Sequence, residues 1–346
     1  AVGSVVFDGV QHGGELVAQE DGNDGGRRFV GAQTVIVAGG GYRQPQQILI
    51  VVYGLDGTAQ EQQERIEQAA PSLIGLIKQG NEILVSHGNG PQVGMINLAF
   101  DEAAKNDNRV ARMDLPECTA MSQGYIGYHL QKGITKEVRK EGKPWKTATV
   151  VTQVIVDEKD PAFSNPTKPI GGFYDGKTAA KLMKENPGVT FVEDAGRGWR
   201  QVVASPKPVD IVEKDSIRSL LDDDFIVIAC GGGGVPVTKD SHGDFHGVSA
   251  VVDKDFSAAK LAELVDAEYL FILTAVDHVA INYGKPNQKE LQEMTLAEAE
   301  RYCAEGQFAP GSMLPKVQAA MNFVKSGKGR KAIIASLEKA PEAIEG

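Results

Sequence analysis

Cysteine is scarce in this chain. Cys118, Cys230 and Cys303 are scattered through 346 residues. With no CxxC pair, neither a disulfide framework nor a cysteine-rich metal site is expected, and the thiols read as reduced groups of an intracellular protein. There are only 6 histidines, and His87 and His278 lack partners at ligand spacing, so zinc is not expected and no metal-binding residue is assigned. Positive charge is outnumbered: 36 Lys and Arg against 46 Asp and Glu give a net charge of −10. A nucleic-acid partner is not expected without a strong basic patch, although an acidic protein can hold a locally positive pocket for small phosphorylated molecules. No apolar run reaches the roughly 18–20 residues of a membrane span. No charged stretch followed by an apolar one opens the chain, so neither a membrane nor a secretory signal is expected and the place is cytoplasmic. Also missing are a GxxxxGK[ST] loop, a GxSxG elbow and the protein-kinase motifs.

Glycine is abundant, 40 residues against a usual share of about 7%. Many of these glycines stand in blocks at the ends of apolar runs, where tight turns and anion loops form. Residues 1–33 are polar and glycine-rich without sustained periodicity and read as an N-terminal extension of unknown role. The catalytic domain is expected over residues 34–346. Its apolar runs at 34–38, 48–53, 83–86, 147–156, 225–230, 269–274 and 332–336 are rich in Val and Ile and mostly non-alternating, as in strands buried on both faces of a parallel sheet. Helical patterns lie between them. Ile66, Ala70, Leu73 and Ile77 share one face of a helix that Pro71 should bend or interrupt. The alternation predicts an open αβα sandwich with ligands outside the carboxyl ends of the strands. Residues 160–200 break the rhythm with Pro, Gly, Lys and aromatics, and read as an irregular lid.

Four segments carry candidate chemistry. Ser86-His87-Gly88-Asn89-Gly90-Pro91-Gln92-Val93-Gly94 follows a strand and can turn backbone N–H groups toward an anion, or can be an ordinary strand-to-helix turn. Cys230-Gly231-Gly232-Gly233-Gly234 follows another strand. A run of four glycines is costly in chain entropy and suits a backbone that passes close to a ligand. Lys168, Lys254 and Lys316 stand beside turn residues. Each alone could be a solvated surface charge, but phosphoryl transfer needs such point charges to shield two approaching anions. Lys254 also precedes a helix start, whose amides would reinforce it. In Glu193-Asp194-Ala195-Gly196-Arg197-Gly198-Trp199-Arg200, the arginines could grip a small planar anion or pair with Glu193 or Asp194.

These strings, together with 121–128, 165–171, 252–255, 281–286 and 308–316, resemble those of the carbamate kinases of the amino acid kinase family, over roughly residues 58–338. The resemblance implies a three-layer αβα sandwich on a mainly parallel central sheet, a small protruding subdomain at 160–200, and a homodimer. It implies reversible phosphoryl transfer between carbamoyl phosphate and ADP, giving ATP and carbamate, with Mg2+ accompanying ATP or ADP. By the same resemblance Lys168, Lys254 and Lys316 are catalytic and Asp255 orients Lys254. Gly88, Asn89 and Gly90 line the phosphoryl site, with Arg200 a further anion contact. Gly232, Gly233, Thr274, Asp277, Tyr283, Gly311, Ser312 and Met313 are assigned to the nucleotide. Two departures stand out. The family's first Gly-Gly-Asn loop has no match in place; either Gly39, Gly40 and Gly41 after residues 34–37 or Gly54–Gly57 after 48–52 could stand for it, and the first is preferred. A further strand usual beyond the position of Gly346 is missing. Another kinase of the family, or a non-catalytic nucleotide-binding relative, is the alternative reading.

Overall fold

The computed structural model describes residues 5–8, 47–52, 58–78, 81–194, 196–274 and 278–336. Six of the apolar runs lie side by side as parallel strands of one sheet. Their spatial order is Lys331–Ser336, Tyr269–Thr274, Gln47–Val52, Glu82–His87, Phe225–Ile228 and Lys146–Thr149. Their side chains explain the lack of alternation. Leu49, Leu84, Val227, Leu270, Ile272 and Ile334 enter one core, and Ile50, Ile83, Val85, Ile226, Ile228, Phe271 and Ile333 enter the other. Helices Lys254–Leu264 and Met313–Lys325 close the first face, and Ala59–Lys78 and Leu115–Lys140 close the second. This is the expected αβα sandwich.

Several expectations need correction. The run at 48–53, expected at the periphery if the glycines at 39–41 held the first loop, is the strand Gln47–Val52 in the centre of the sheet. From it the chain proceeds first to Glu82–His87 on one side and later to Tyr269–Thr274 on the other, so this strand marks the point where strand order reverses. Residues 34–38, 39–41 and 53–57 lie outside the described residues. Within the stretch expected as an N-terminal extension, Val5–Asp8 is a strand, antiparallel to Lys331–Ser336 and parallel to Glu293–Thr295. The run at 147–156 is two strands. Lys146–Thr149 ends the main sheet, and Gln153–Val156 joins a second, four-stranded sheet. Thr152 lies at that change of sheet; its amide and carbonyl bond the Gln123 carboxamide, and its hydroxyl accepts from Cys230 N–H.

Pro71 does not interrupt its helix, which runs unbroken over Ala59–Lys78. It lies on the exposed face, where water can serve the carbonyl that its missing N–H leaves unbonded. Nor is 160–200 irregular. Lys168–Tyr174, Trp199–Val203 and Thr190–Glu193 form an antiparallel sheet, with helix Gly176–Glu185 capped by Asp175. Its strands are short, Gly171 at φ 66° interrupts the first and Gly198 at φ 125° stands just before Trp199–Val203, which hides their period in the sequence. This sheet meets the main body where Gly171 Cα lies 3.2 Å from the space a side chain would take at Gly94.

Candidate active site at the carboxyl edge of the sheet

Two glycine-lined turns meet at the ends of neighbouring parallel strands. Glu82–His87 runs into Gly88, Asn89 and helix Gly90–Asn106, while Phe225–Ile228 runs into Cys230 and the turn Gly231–Gly233. The glycine run is needed because the backbone passes against other protein groups. A side chain at Gly232, φ 66°, would meet the Asn89 carboxamide at 2.1 Å. One at Gly233, φ 96°, would meet the Val252 carbonyl oxygen at 2.0 Å. Ser257 Oγ donates to Gly233 O at 2.7 Å, and Ser86 Oγ donates to Cys230 O at 3.2 Å. The turn thus ties the loop at 86–90 to residues 252–257. Asn89 is buried and donates from Nδ2 to Ser122 Oγ at 2.8 Å, and that hydroxyl donates to Thr119 O at 2.7 Å. His87 is also buried, with Nδ1 2.9 Å from Gly88 O. Burial pushes its pKa down to about 4, so the ring is neutral near pH 7.

The three lysines, scattered in sequence, converge on two aspartates. Asp255 Oδ1 accepts from Lys254 Nζ and its Oδ2 from Lys316 Nζ, each at 2.8 Å. Lys168, from the small sheet, donates to Asp253 Oδ2 at 2.8 Å. The other oxygen of Asp253 accepts from the Asp255 N–H at 3.0 Å and caps helix Lys254–Leu264. Burial pushes the Asp253 carboxyl up, but the charge and hydrogen bond of Lys168, aided by Lys254, outweigh it and hold the group below its ordinary range. Asp255 therefore pairs with both Lys254 and Lys316. Asp253 was missed as a site residue. A carboxylate at a helix N-cap is a common structural feature, and only the fold brings Lys168 to it. Paired ammonium groups on fixed carboxylates can face an anion without rearranging, which suits a transferring phosphoryl group.

The model of the amino acid kinase family matches residues 49–336. The chain belongs to the amino acid kinase family. It is 54% identical to the carbamate kinase of Clostridium perfringens over 292 residues, 84% of this chain and 92% of that protein. It is 52% identical to carbamate kinase 1 of Enterococcus faecium over 283 residues, 82% and 89% of the two chains. The structure of carbamate kinase from Giardia lamblia bound to AMP-PNP superposes with a TM-score of 0.81 at 40% identity, covering 87% of this chain and 96% of that one.

In this member of the amino acid kinase family the remaining candidates scatter. Gly311, Ser312 and Met313 lead into the helix whose first turn carries Lys316. Thr274 ends its strand at the same sheet edge, whereas Tyr283 stands 72% exposed in a turn. Asp277, Gly39 and Gly40 lie outside the described residues. Arg200 belongs to the small sheet: it lies 3.6 Å from Asp194, donates to Gly171 O at 3.1 Å and packs on Phe173. Arg197 also pairs with Asp194, at 2.8 Å, so the salt-bridge alternative holds for both arginines. Among the described residues no three His, Cys, Asp or Glu side chains are grouped as a metal site, and no helix is long and apolar enough to cross a membrane.

Proposed function

We propose that the chain is a carbamate kinase, moving a phosphoryl group reversibly between carbamoyl phosphate and ADP. The observation that carries this reading is the convergence of Lys168, Lys254 and Lys316 on Asp253 and Asp255 beside the glycine turns. The carbamate kinases at about half identity support the same activity, and the AMP-PNP-bound relative supports a nucleotide substrate.

In the ATP-forming direction an oxygen of the ADP β-phosphate attacks phosphorus. The bond from phosphorus to the carbamoyl oxygen breaks, and its electron pair leaves with carbamate. No proton has to move in that step, so catalysis is positioning and charge compensation. Lys254 and Lys316, spaced by one carboxylate, shield the two anions as they approach. Lys168 adds a third charge from the small sheet, and the amides around Gly88, Asn89 and Gly90 face the transferring group. Gly232, Gly233, Thr274, Asp277, Tyr283, Gly311, Ser312 and Met313 are assigned to the nucleotide, with Mg2+ entering as part of that substrate on its phosphate oxygens. Because ligands of such sheets bind where strand order reverses, the role first given to Gly39 and Gly40 is assigned instead to Gly54 and Gly57, which follow Gln47–Val52 in the sequence.

A coupled assay tests the reading: purified protein supplied with carbamoyl phosphate, ADP and magnesium should form ATP, and no formation above the uncatalysed background overturns it. The proposal extends to a cytoplasmic homodimer, which fractionation and light scattering test.

A further inference from the structure

The excursion that carries Lys168 leaves the main body near Asp160 and returns near Lys207, and one carboxylate closes that neck. Asp160 Oδ1 accepts the Ala162 N–H at 2.8 Å, and its Oδ2 accepts the Lys207 N–H at 2.9 Å. With its backbone held in this way, Lys207 extends its side chain to the first turn of helix Lys254–Leu264, where Nζ lies 3.3 Å from the centre of the Phe256 ring. Phe256 is buried. It adjoins Asp255, which holds Lys254 and Lys316, and follows Asp253, which holds Lys168, by three residues. The Lys207 ammonium therefore ends beside the lysine–aspartate cluster, on the side of Lys168.

The charges there act on it. Lys207 is exposed as a whole residue, yet burial of its ammonium end pushes its pKa below the ordinary lysine value. Asp253 and Asp160 draw the pKa back up, and Lys168 lowers it again. Lys168, Lys254 and Lys316 each have a carboxylate oxygen at 2.8 Å. Among the described residues no carboxylate makes an ion pair with Lys207. A cation resting on an aromatic face is held in place by the ring, and Lys207 remains exposed as a residue, so its ammonium can still meet an anion.

We propose that Lys207 is a fourth lysine of the active site and binds a phosphate oxygen of carbamoyl phosphate or of the nucleotide. This rests on the carbamate kinase reading. The test compares the full-length protein with Lys207→Met, which keeps the stem over Phe256 without the charge, and Lys207→Arg, which restores it. Lys207→Met should raise KM for one substrate about tenfold or more, the loss of a charge-assisted hydrogen bond. Lys207→Arg should recover most of that loss. A rise for carbamoyl phosphate alone places the contact on that substrate, and a rise for ADP alone places it on the nucleotide. KM values for both substrates within about twofold of wild type overturn the proposal. If wild-type protein forms no ATP, the carbamate kinase reading fails by itself. Calorimetry with ADP, and separately with inorganic phosphate, then decides on Lys207: weaker binding of either by Lys207→Met sustains the anion contact, and unchanged binding of both removes it. If Lys207→Met does not fold, Lys207→Gln is put through the same measurements and read by the same outcomes.

Discussion

Around Asp255 the charges are sealed: the side chains of Asp255 and Lys316 are each 4% exposed, and the glycine turn packs against the neighbouring Val252. In the small sheet, by contrast, Lys168 is 36% exposed where it meets Asp253, and the arginines pair at the surface of their own subdomain. The same interaction has different consequences in the two places. Removing one partner of a buried pair strands a charge away from water and costs about 3–5 kcal/mol, whereas exposed pairs contribute about 0–1 kcal/mol. The sealed half can present fixed charges to a reacting group. The Lys168 ammonium is partly solvated, but the Asp253 carboxylate that it meets is only 16% exposed, so this pair stands between the sealed cluster and the surface arginine pairs.

The comparison can be broken at four places. Asp255→Asn should have the largest effect, because it removes the carboxylate charge to which both Lys254 and Lys316 donate. Turnover should fall by about a hundredfold or more, with stability reduced by about 3 kcal/mol; denaturant titration and the coupled assay read both, and near-wild-type values would show that the pair is not sealed. Gly233→Ala should follow. It places a methyl group against the Val252 carbonyl at a backbone angle of φ 96° and should cost about 2–4 kcal/mol, visible as a lower Tm.

His87 gives the sealed half a pH dependence. Its pKa is 6.5 in the unfolded chain and about 4 in the folded one, so the unfolded state binds the proton first. The stability tied to the neutral ring is complete above pH 6.5 and is lost as pH falls toward 4, by about 3 kcal/mol at most. Denaturant titrations of wild type and His87→Asn between pH 7 and 4 should converge toward the acid end, and parallel curves would refute the assignment. Lys168→Gln should be milder for the fold than Asp255→Asn, because its ammonium is partly solvated and Gln can still donate to Asp253, while turnover falls about tenfold. A stability loss as large as that of Asp255→Asn would erase the contrast between the two halves.

Much of this could be read along the chain. Runs such as 225–228 and 269–274, apolar at consecutive positions, require burial on both faces, and that alone calls for a parallel sheet between helix layers. Glycine blocks after such runs and lysines beside turns offered an anion site and compact positive charges, and the resemblance to the carbamate kinases supplied their roles. Other features could not be read locally. The strand–turn–strand pattern of 168–203 is masked by glycines, and the break at Val150–Thr152 is set by hydrogen bonds to Gln123 and Cys230. Central and peripheral positions could not be told apart for Gln47–Val52, because strand order depends on pairing between distant segments. Nor could the sequence say which carboxylate each lysine meets. Lys168 and Asp253 stand 85 residues apart and Lys316 and Asp255 stand 61 apart. Sequence by itself determined which residue types were available and which turns they could make; tertiary structure decided which charges became neighbours, because an ion pair depends on distance in space, and packing alone sets that distance.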